Sequence, residues 1–113
     1  MTTSAADIAE LDVAIADHWS STDLLVVNGN AVRFRIMRDA TAPWHSHRGS
    51  DELFFVLSGE LTIDTREAGE DGAVLSHSLR TGQMLAVHPG TEHRTRCIGR
   101  ATLMVVDDID RLG

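Results

Sequence analysis

Two stretches of this chain carry metal-binding residue types at spacings that let them act together: His45-x-His47-x4-Glu52-x6-Gly59, and Gly82-x5-His88-Pro89-Gly90-x2-His93. On a strand, residues i and i+2 project from one face about 6 to 7 Å apart at Cα, so His45 and His47 can turn both imidazoles toward a single ion. A carboxylate and a third imidazole would complete the set. Strict alternation would point Glu52 away from the two histidines, but Arg48-Gly49-Ser50-Asp51 supplies a turn that resets the face. Asp51 and Glu52 both stand where such a carboxylate is needed.

Three imidazoles and one carboxylate form a borderline donor set that suits a divalent transition metal, Zn, Fe, Mn, Ni or Cu, without choosing among them. Four protein donors leave one or two positions open on a five- or six-coordinate ion, where water, dioxygen or a chelating substrate binds; a tetrahedral Zn site would be closed and structural. No nucleophile triad, phosphate loop or nucleotide fingerprint competes with this reading. His88, Glu92 and Asp51, in falling order, are the candidates for proton transfer.

The elements that must position these donors are short strands. Val32, Phe34 and Ile36 alternate with Arg33 and Arg35, as in a strand with one apolar face, and Asn28-Gly29-Asn30 before them signals a hairpin turn. Further runs at Leu53 to Leu57, Glu60 to Thr65, Val74 to Leu79, Met84 to Val87, Arg94 to Ile98 and Ala101 to Val106 are separated by Gly- and Pro-containing breaks. Many short, regularly punctuated strands imply an antiparallel sandwich or barrel. The polar segment from Glu67 to Gly72 reads as a hairpin tip. Upstream, Ser4-Ala5-Ala6-Asp7 resembles a helix cap, and Ile8, Leu11, Ile15 and Trp19 follow at helical spacing, which predicts a short N-terminal helix with His18 on its surface. Residues 1–22 are expected as helix and lead-in, and 23–110 as one barrel domain.

The chain of 113 residues is long enough for one core that buries on the order of 65% of the unfolded surface. Its single cysteine excludes an intrachain disulfide and, with no signal-peptide pattern, predicts a reducing, cytoplasmic setting. The apolar run Leu53 to Leu57 is far too short to span a bilayer. With Asp+Glu 17 against Lys+Arg 10, a net charge of -7 argues against nucleic-acid and anionic-membrane partners, while the expected partner, a small-molecule ligand or substrate, follows from the open coordination positions.

The two motifs, with Trp19-Ser20, Trp44, the run Asp51 to Gly59 and the run Val87 to His93, resemble small single-domain cupins of the kind described as similar to mannose-6-phosphate isomerase. The likeness covers roughly Asp17 to Asp108. It implies an all-β antiparallel double-stranded β-helix or jelly-roll barrel, a metal held by His45, His47, Glu52 and His93, and a homodimer. Three positions depart from the pattern: Asp39 stands where a glycine is usual, His88 where a proline is usual, and Cys97 where an asparagine is usual. Cys97 shares a strand face with His93 by period-two counting, beside the expected metal.

Alternation also assigns neighbours. Trp44 points away from His45, which predicts packing in the core or an interface rather than substrate stacking; Phe54 and Phe55 place an apolar residue on both faces of one strand, which predicts an outer cover from the N-terminal helix or a second subunit. Arg94 and Arg96 face outward if His93 faces in, so they cannot clamp a phosphate. Arg33, Arg35 and Arg38 are expected as solvated charge, and His77 on a strand near a hairpin. A metal-dependent enzyme, a non-catalytic ligand-binding or sensing module, and a barrel with a structural or lost metal site all fit these residues, because one barrel hosts each.

Overall fold

A computed structural model describes residues 3–11, 17–67 and 72–109. Seven strands follow in order: β1 (Trp19–Val27), β2 (Asn30–Thr41), β3 (Glu52–Ser58), β4 (Glu60–Arg66), β5 (Val74–Arg80), β6 (Met84–Val87) and β7 (Glu92–Asp108). All pairings are antiparallel, in the order β1-β2-β7-β3-β6, with β4 joining β7 and β5 joining β4. The expected antiparallel β architecture is what the chain adopts.

β7 joins the two halves. Along one edge it pairs with β2 from Arg96 to Asp108, with a register shift at the bend; along the other, Glu92 to Arg96 pair with β4 and Thr102 to Val106 with β3. The sequence predicts two strands broken at Gly99, yet one strand runs through and bends there, with φ 78 at Gly99. The bend is held from across the sheet: the Gly99 amide donates to Asp39 Oδ1 at 2.6 Å. Asp39 itself sits at φ 46, in the register shift between Arg38 and Ala40. The family's glycine position thus keeps a left-handed backbone here, since a short acceptor side chain tolerates that region and bonds locally.

The N-terminal helix is a correction. Among the described residues of this segment one 3-10 turn forms, at Ile8–Glu10, with Asp7 accepting the Ala9 amide; residues 12–16, including Ile15 of the expected stripe, lie outside the described residues. Trp19 belongs to β1 rather than to a helix, and His18 leads into that strand with Nδ1–H donating to the Arg38 carbonyl. Helical spacing cannot outweigh a partner strand: Trp19 to Asp23 align with Met37 to Arg33, so β2 supplies this segment with backbone bonds. Of the expected hairpin tip, residues 68–71 lie outside the described residues, while β4 and β5 on either side pair from Glu60↔Arg80 to Arg66↔Val74.

Directly opposed residues in antiparallel strands share a face. Met37 opposes Ala101, Arg35 opposes Leu103 and Arg33 opposes Val105, and Met37, Ala101, Leu103 and Val105 all belong to the main apolar core with Phe54, Val56, Leu61 and Ile63. Arg33 and Arg35 therefore face the interior of the barrel, whereas Arg38 shares the face of Phe34 and Ile36. Phe34 and Ile36 face the opposite side with Met104 and Thr102, and are still only 3% and 1% exposed. This reverses the expected orientation of the strand. Both of its faces are buried at mid-strand, so alternation marks two faces without saying which is lumenal. Arg33 is part-buried and pairs with the exposed Asp23 and the buried Asp107 instead of being solvated.

Gly59 turns β3 into β4 at φ 81, and a Cβ there would lie 2.3 Å from the Arg100 carbonyl oxygen. Gly59→Ala adds backbone strain to a clash with main chain, and is expected to destabilise by about 3 kcal/mol. Gly82→Ala, at φ 84 but with nothing within 4 Å of the added carbon, is expected to lose only about 1 kcal/mol. Urea midpoints of the two variants check this, and equal losses would contradict it.

Candidate metal centre

His45 and His93 meet through the backbone before their rings meet. Each amide donates to the other's carbonyl, at 3.0 Å from His45 and 2.8 Å from His93, an isolated bridge outside the named strands. This pair brings two stretches 48 residues apart to one spot and leaves their ring centroids 4.2 Å apart. His47 is anchored separately, since its carbonyl accepts the Gly90 amide of the Pro89-Gly90 turn at 2.8 Å. The turn between His47 and Glu52 swings the carboxylate back, and Glu52 opens β3 at 1% exposure, opposite Val87.

The side chains converge on one oxygen. Glu52 Oε1 lies 3.0 Å from His47 Nε2 and 2.8 Å from His93 Nε2. The outer nitrogens of two rings are taken: His45 Nδ1–H donates to the Pro43 carbonyl at 2.9 Å and His93 Nδ1–H to that of Thr91 at 3.1 Å. A carbonyl partner on Nδ1 sets the tautomer that leaves the Nε2 lone pair for a metal. The donor atoms of His45, His47, Glu52 and His93 all lie within 4.8 Å of one another, the one such group among the described residues. Metal bonds of about 2.0 to 2.2 Å place ligands of a common ion roughly 3 to 4.4 Å apart, so the set suits a divalent ion with little adjustment.

Asp51, the competing carboxylate, turns outward to His88 at 2.7 Å, and both are exposed. His88 is thus a surface residue, and Glu92, the remaining candidate for proton transfer, pairs with Arg66 at 3.0 Å. Cys97 is buried in the apolar core, with Sγ toward the Gly99 carbonyl. His77 lies on β5, its Nε2 3.1 Å from Thr65 Oγ1.

A cavity of about 520 Å³ adjoins the cluster, within the size range of small-molecule sites. His45, Glu52 and Phe54 line it at the cluster, Met37 and Arg35 along β2, and His18, Trp19 and Asp39 at its exposed side. Arg35 and Trp19 are the residues that sequence reasoning missed. The available signal was the interruption of an apolar strand by arginines on the face that proved lumenal.

Behind His93, on the outer face of the same strand, Arg94 and Arg96 grip Asp64 of β4 through their Nε atoms at 2.8 and 2.9 Å, and Ser76 of β5 donates to it at 2.7 Å. Both arginines face outward as alternation predicts, although they are paired to a buried carboxylate. Trp44 packs on the same outer surface, beneath the guanidinium groups of Arg66 and Arg94 at 4.1 and 4.7 Å from its ring centroid. The hydrogen bond from Arg96 holds the Asp64 carboxyl well below its ordinary range, against the opposing effect of burial and with further help from Arg94 and Ser76.

A family model for the cupin domain matches residues 32–107. The chain is 38% identical over 81 residues, 72% of its length, to the uncharacterized protein YdbB of Bacillus subtilis (strain 168); the match spans 66% of that protein, just under two thirds. KdgF from Halomonas sp. superposes with a TM-score of 0.76 at 16% identity, covering 97% of this chain and 96% of that one. A cupin-2 domain containing protein from Shewanella frigidimarina NCIMB 400 gives 0.69 at 21% identity, covering 90% and 99%. At these identities the likeness to the solved structures is one of fold.

A depressed folded-state pKa makes the Asp64 clamp fully stabilising above the ordinary aspartate value of 3.8, and its contribution is lost as pH falls below that value. Asp64→Asn is expected to destabilise by about 2 kcal/mol at pH 7, and the difference from wild type should shrink below pH 4. Denaturation midpoints measured from pH 7 to pH 3 check both halves, and a gap that widens on acidification would contradict the assignment.

Proposed function

The chain belongs to the cupin superfamily, and from that premise we propose that it is a metal-dependent enzyme acting on a small molecule bound in its barrel. His45, His47, Glu52 and His93 hold the ion in this reading. The observation that carries it is the convergence of four donor side chains, of which His45 and Glu52 line a cavity large enough for a substrate. A structural site would need no such cavity beside it.

Bound there with one or two coordination positions open, Zn, Fe, Mn or Ni would supply Lewis acidity or, for a redox metal, a centre for oxygen chemistry. The chain's own residues do the rest. The Pro43 and Thr91 carbonyls fix the rings of His45 and His93, so their donor nitrogens are oriented in advance. Phe54 lies edge-on to His93 at 6.0 Å between centroids and keeps the inner wall apolar. Low polarity around the cluster strengthens every electrostatic interaction with a bound substrate.

The alternative is a non-catalytic module that holds a small ligand through the metal. It is favoured by the position of His88, Asp51 and Glu92, the three residues expected to move protons: they pair with partners outside the residues that line the cavity. Product formed from a chelating substrate would support the enzyme, and a ligand recovered unchanged after prolonged incubation with metal-loaded protein would support the module.

Protein purified without a histidine tag is expected to take up one divalent ion per chain. At about 100 times the dissociation constant, the metal adds about 2.7 kcal/mol and raises the thermal midpoint by roughly 10 °C. His47→Ala and His93→Ala should lose both the ion and the rise. A wild-type midpoint unmoved by Zn, Mn, Fe and Ni would refute the metal centre.

A further inference from the structure

His18 ties the mouth of the cavity to the strand ladder with its side chain. Just before β1, the Arg38 amide donates to the His18 carbonyl at 2.7 Å, and the His18 ring returns the bond, its Nδ1–H donating to the Arg38 carbonyl at 2.9 Å. The imidazole stands in for a backbone amide. Two bonds to one residue fix the ring next to Asp39 and Ala40, which follow Arg38 in the chain and line the cavity together with His18.

A carbonyl can only accept, so the neutral ring carries its proton on Nδ1 and a lone pair on Nε2. Nε2 has no hydrogen-bond partner among the described residues, and His18 is exposed. The mouth of the cavity therefore holds an acceptor whose tautomer is set by the fold. Trp19 is the next residue, lines the same cavity and is 57% exposed, so a flat apolar surface stands beside that acceptor.

The rest of the lining favours a neutral partner. Its surface is mainly apolar, with Trp19, Met37, Phe54, Ala40 and Ala42 contributing, and a charge moved from water into such surroundings loses hydration that only a close counter-charge restores. The charged side chains of the lining are already engaged within the fold: Arg35 lies over the Trp19 ring at 5.3 Å, Asp39 accepts the Gly99 amide, and Glu52 meets the imidazoles of His47 and His93. With two carboxylates to one guanidinium, the lining's own charge also opposes an anion.

We propose that the cavity selects a small neutral molecule with an apolar or aromatic body and one N–H or O–H donor, the donor received by His18 Nε2 and the body resting on Trp19. That such a molecule is the substrate rests on the reading of the cavity as an active site; the His18 contact itself needs no metal. His18 is then a specificity-determining residue. A ligand without the donor covers the Nε2 lone pair and leaves it unpaired, which costs affinity.

Indole, which has one N–H donor, tests the proposal against N-methylindole, which lacks it, and against the anion indoleacetate. Affinities are read by NMR titration of metal-free and metal-loaded protein, and the ring nitrogens of His18 are followed in the same spectra. The ratio of indole to N-methylindole affinity should fall about three- to tenfold from wild type to His18→Phe. Binding of N-methylindole should persist in that variant, which shows the fold and the cavity intact, and His18→Gln, which retains an acceptor, should recover part of the ratio. The unliganded ring should carry its proton on Nδ1, and its Nε2 signal should move further with indole than with N-methylindole. Indoleacetate should bind metal-free protein more weakly than indole does. The fall in the ratio should be the same with and without metal, so failure of the metal centre leaves this result standing. An unchanged ratio in His18→Phe, a proton found on Nε2 in place of Nδ1, an Nε2 signal indifferent to indole, tighter binding of indoleacetate to metal-free protein, or no binding of indole at millimolar concentration would each overturn the proposal.

Discussion

Glu52 is a carboxylate almost wholly removed from water, and the inner end of the barrel is arranged around that fact. An ionised carboxylate in such a place is stable only with cationic or donating partners at close range. Here His47 and His93 both reach the same oxygen. Since the Nδ1–H of His93 is already donated to a carbonyl, its Nε2 can meet the carboxylate either as the second N–H of an imidazolium or as a metal ligand beside it. A divalent ion, if held there, would resolve that competition by replacing protons on the rings and neutralising Glu52.

That arrangement depends on strands that cannot move independently. β7 turns His93 inward and Arg94 and Arg96 outward, so the clamp on Asp64 fixes β4 against the strand that bears His93. The backbone bridge from His45 to His93 does the same from the other side. Farther along, the Asp39 contact to Gly99 sets the bend at which β7, paired with β2 on both sides of it, passes from β4 to β3 along its other edge. One long strand thus serves the histidine cluster at one end and the core beside Arg35 at the other.

Several particulars were legible before any coordinates. The two histidine motifs name the four side chains that converge, and the turn between His47 and Glu52 was required by parity alone. The strand runs from Leu53 to Val87 match the observed elements to within a residue or two, because Gly breaks punctuate them, while the two runs on either side of Gly99 proved to be one strand. The N-terminal segment misled because its helical spacing is a local property, while β2 offered Trp19 to Val27 partners at every position but Leu24. Arg35 misled for a related reason: an arginine opposite phenylalanine on a strand reads as the wet side wherever only one face is covered.

Chemistry and periodicity are written in the chain itself: which residues can bind a metal, where the strands break, and which side chains share a face. Whether a given face looks into the barrel is decided by the neighbours that strand acquires. Phe34 and Arg35 could exchange inside and outside without changing the alternation, and only the pairing of Arg35 with Leu103 settles it. The cavity joining Trp19 to the histidine cluster likewise exists only when β1, β2 and β7 lie side by side, since no one of these segments encloses any volume alone.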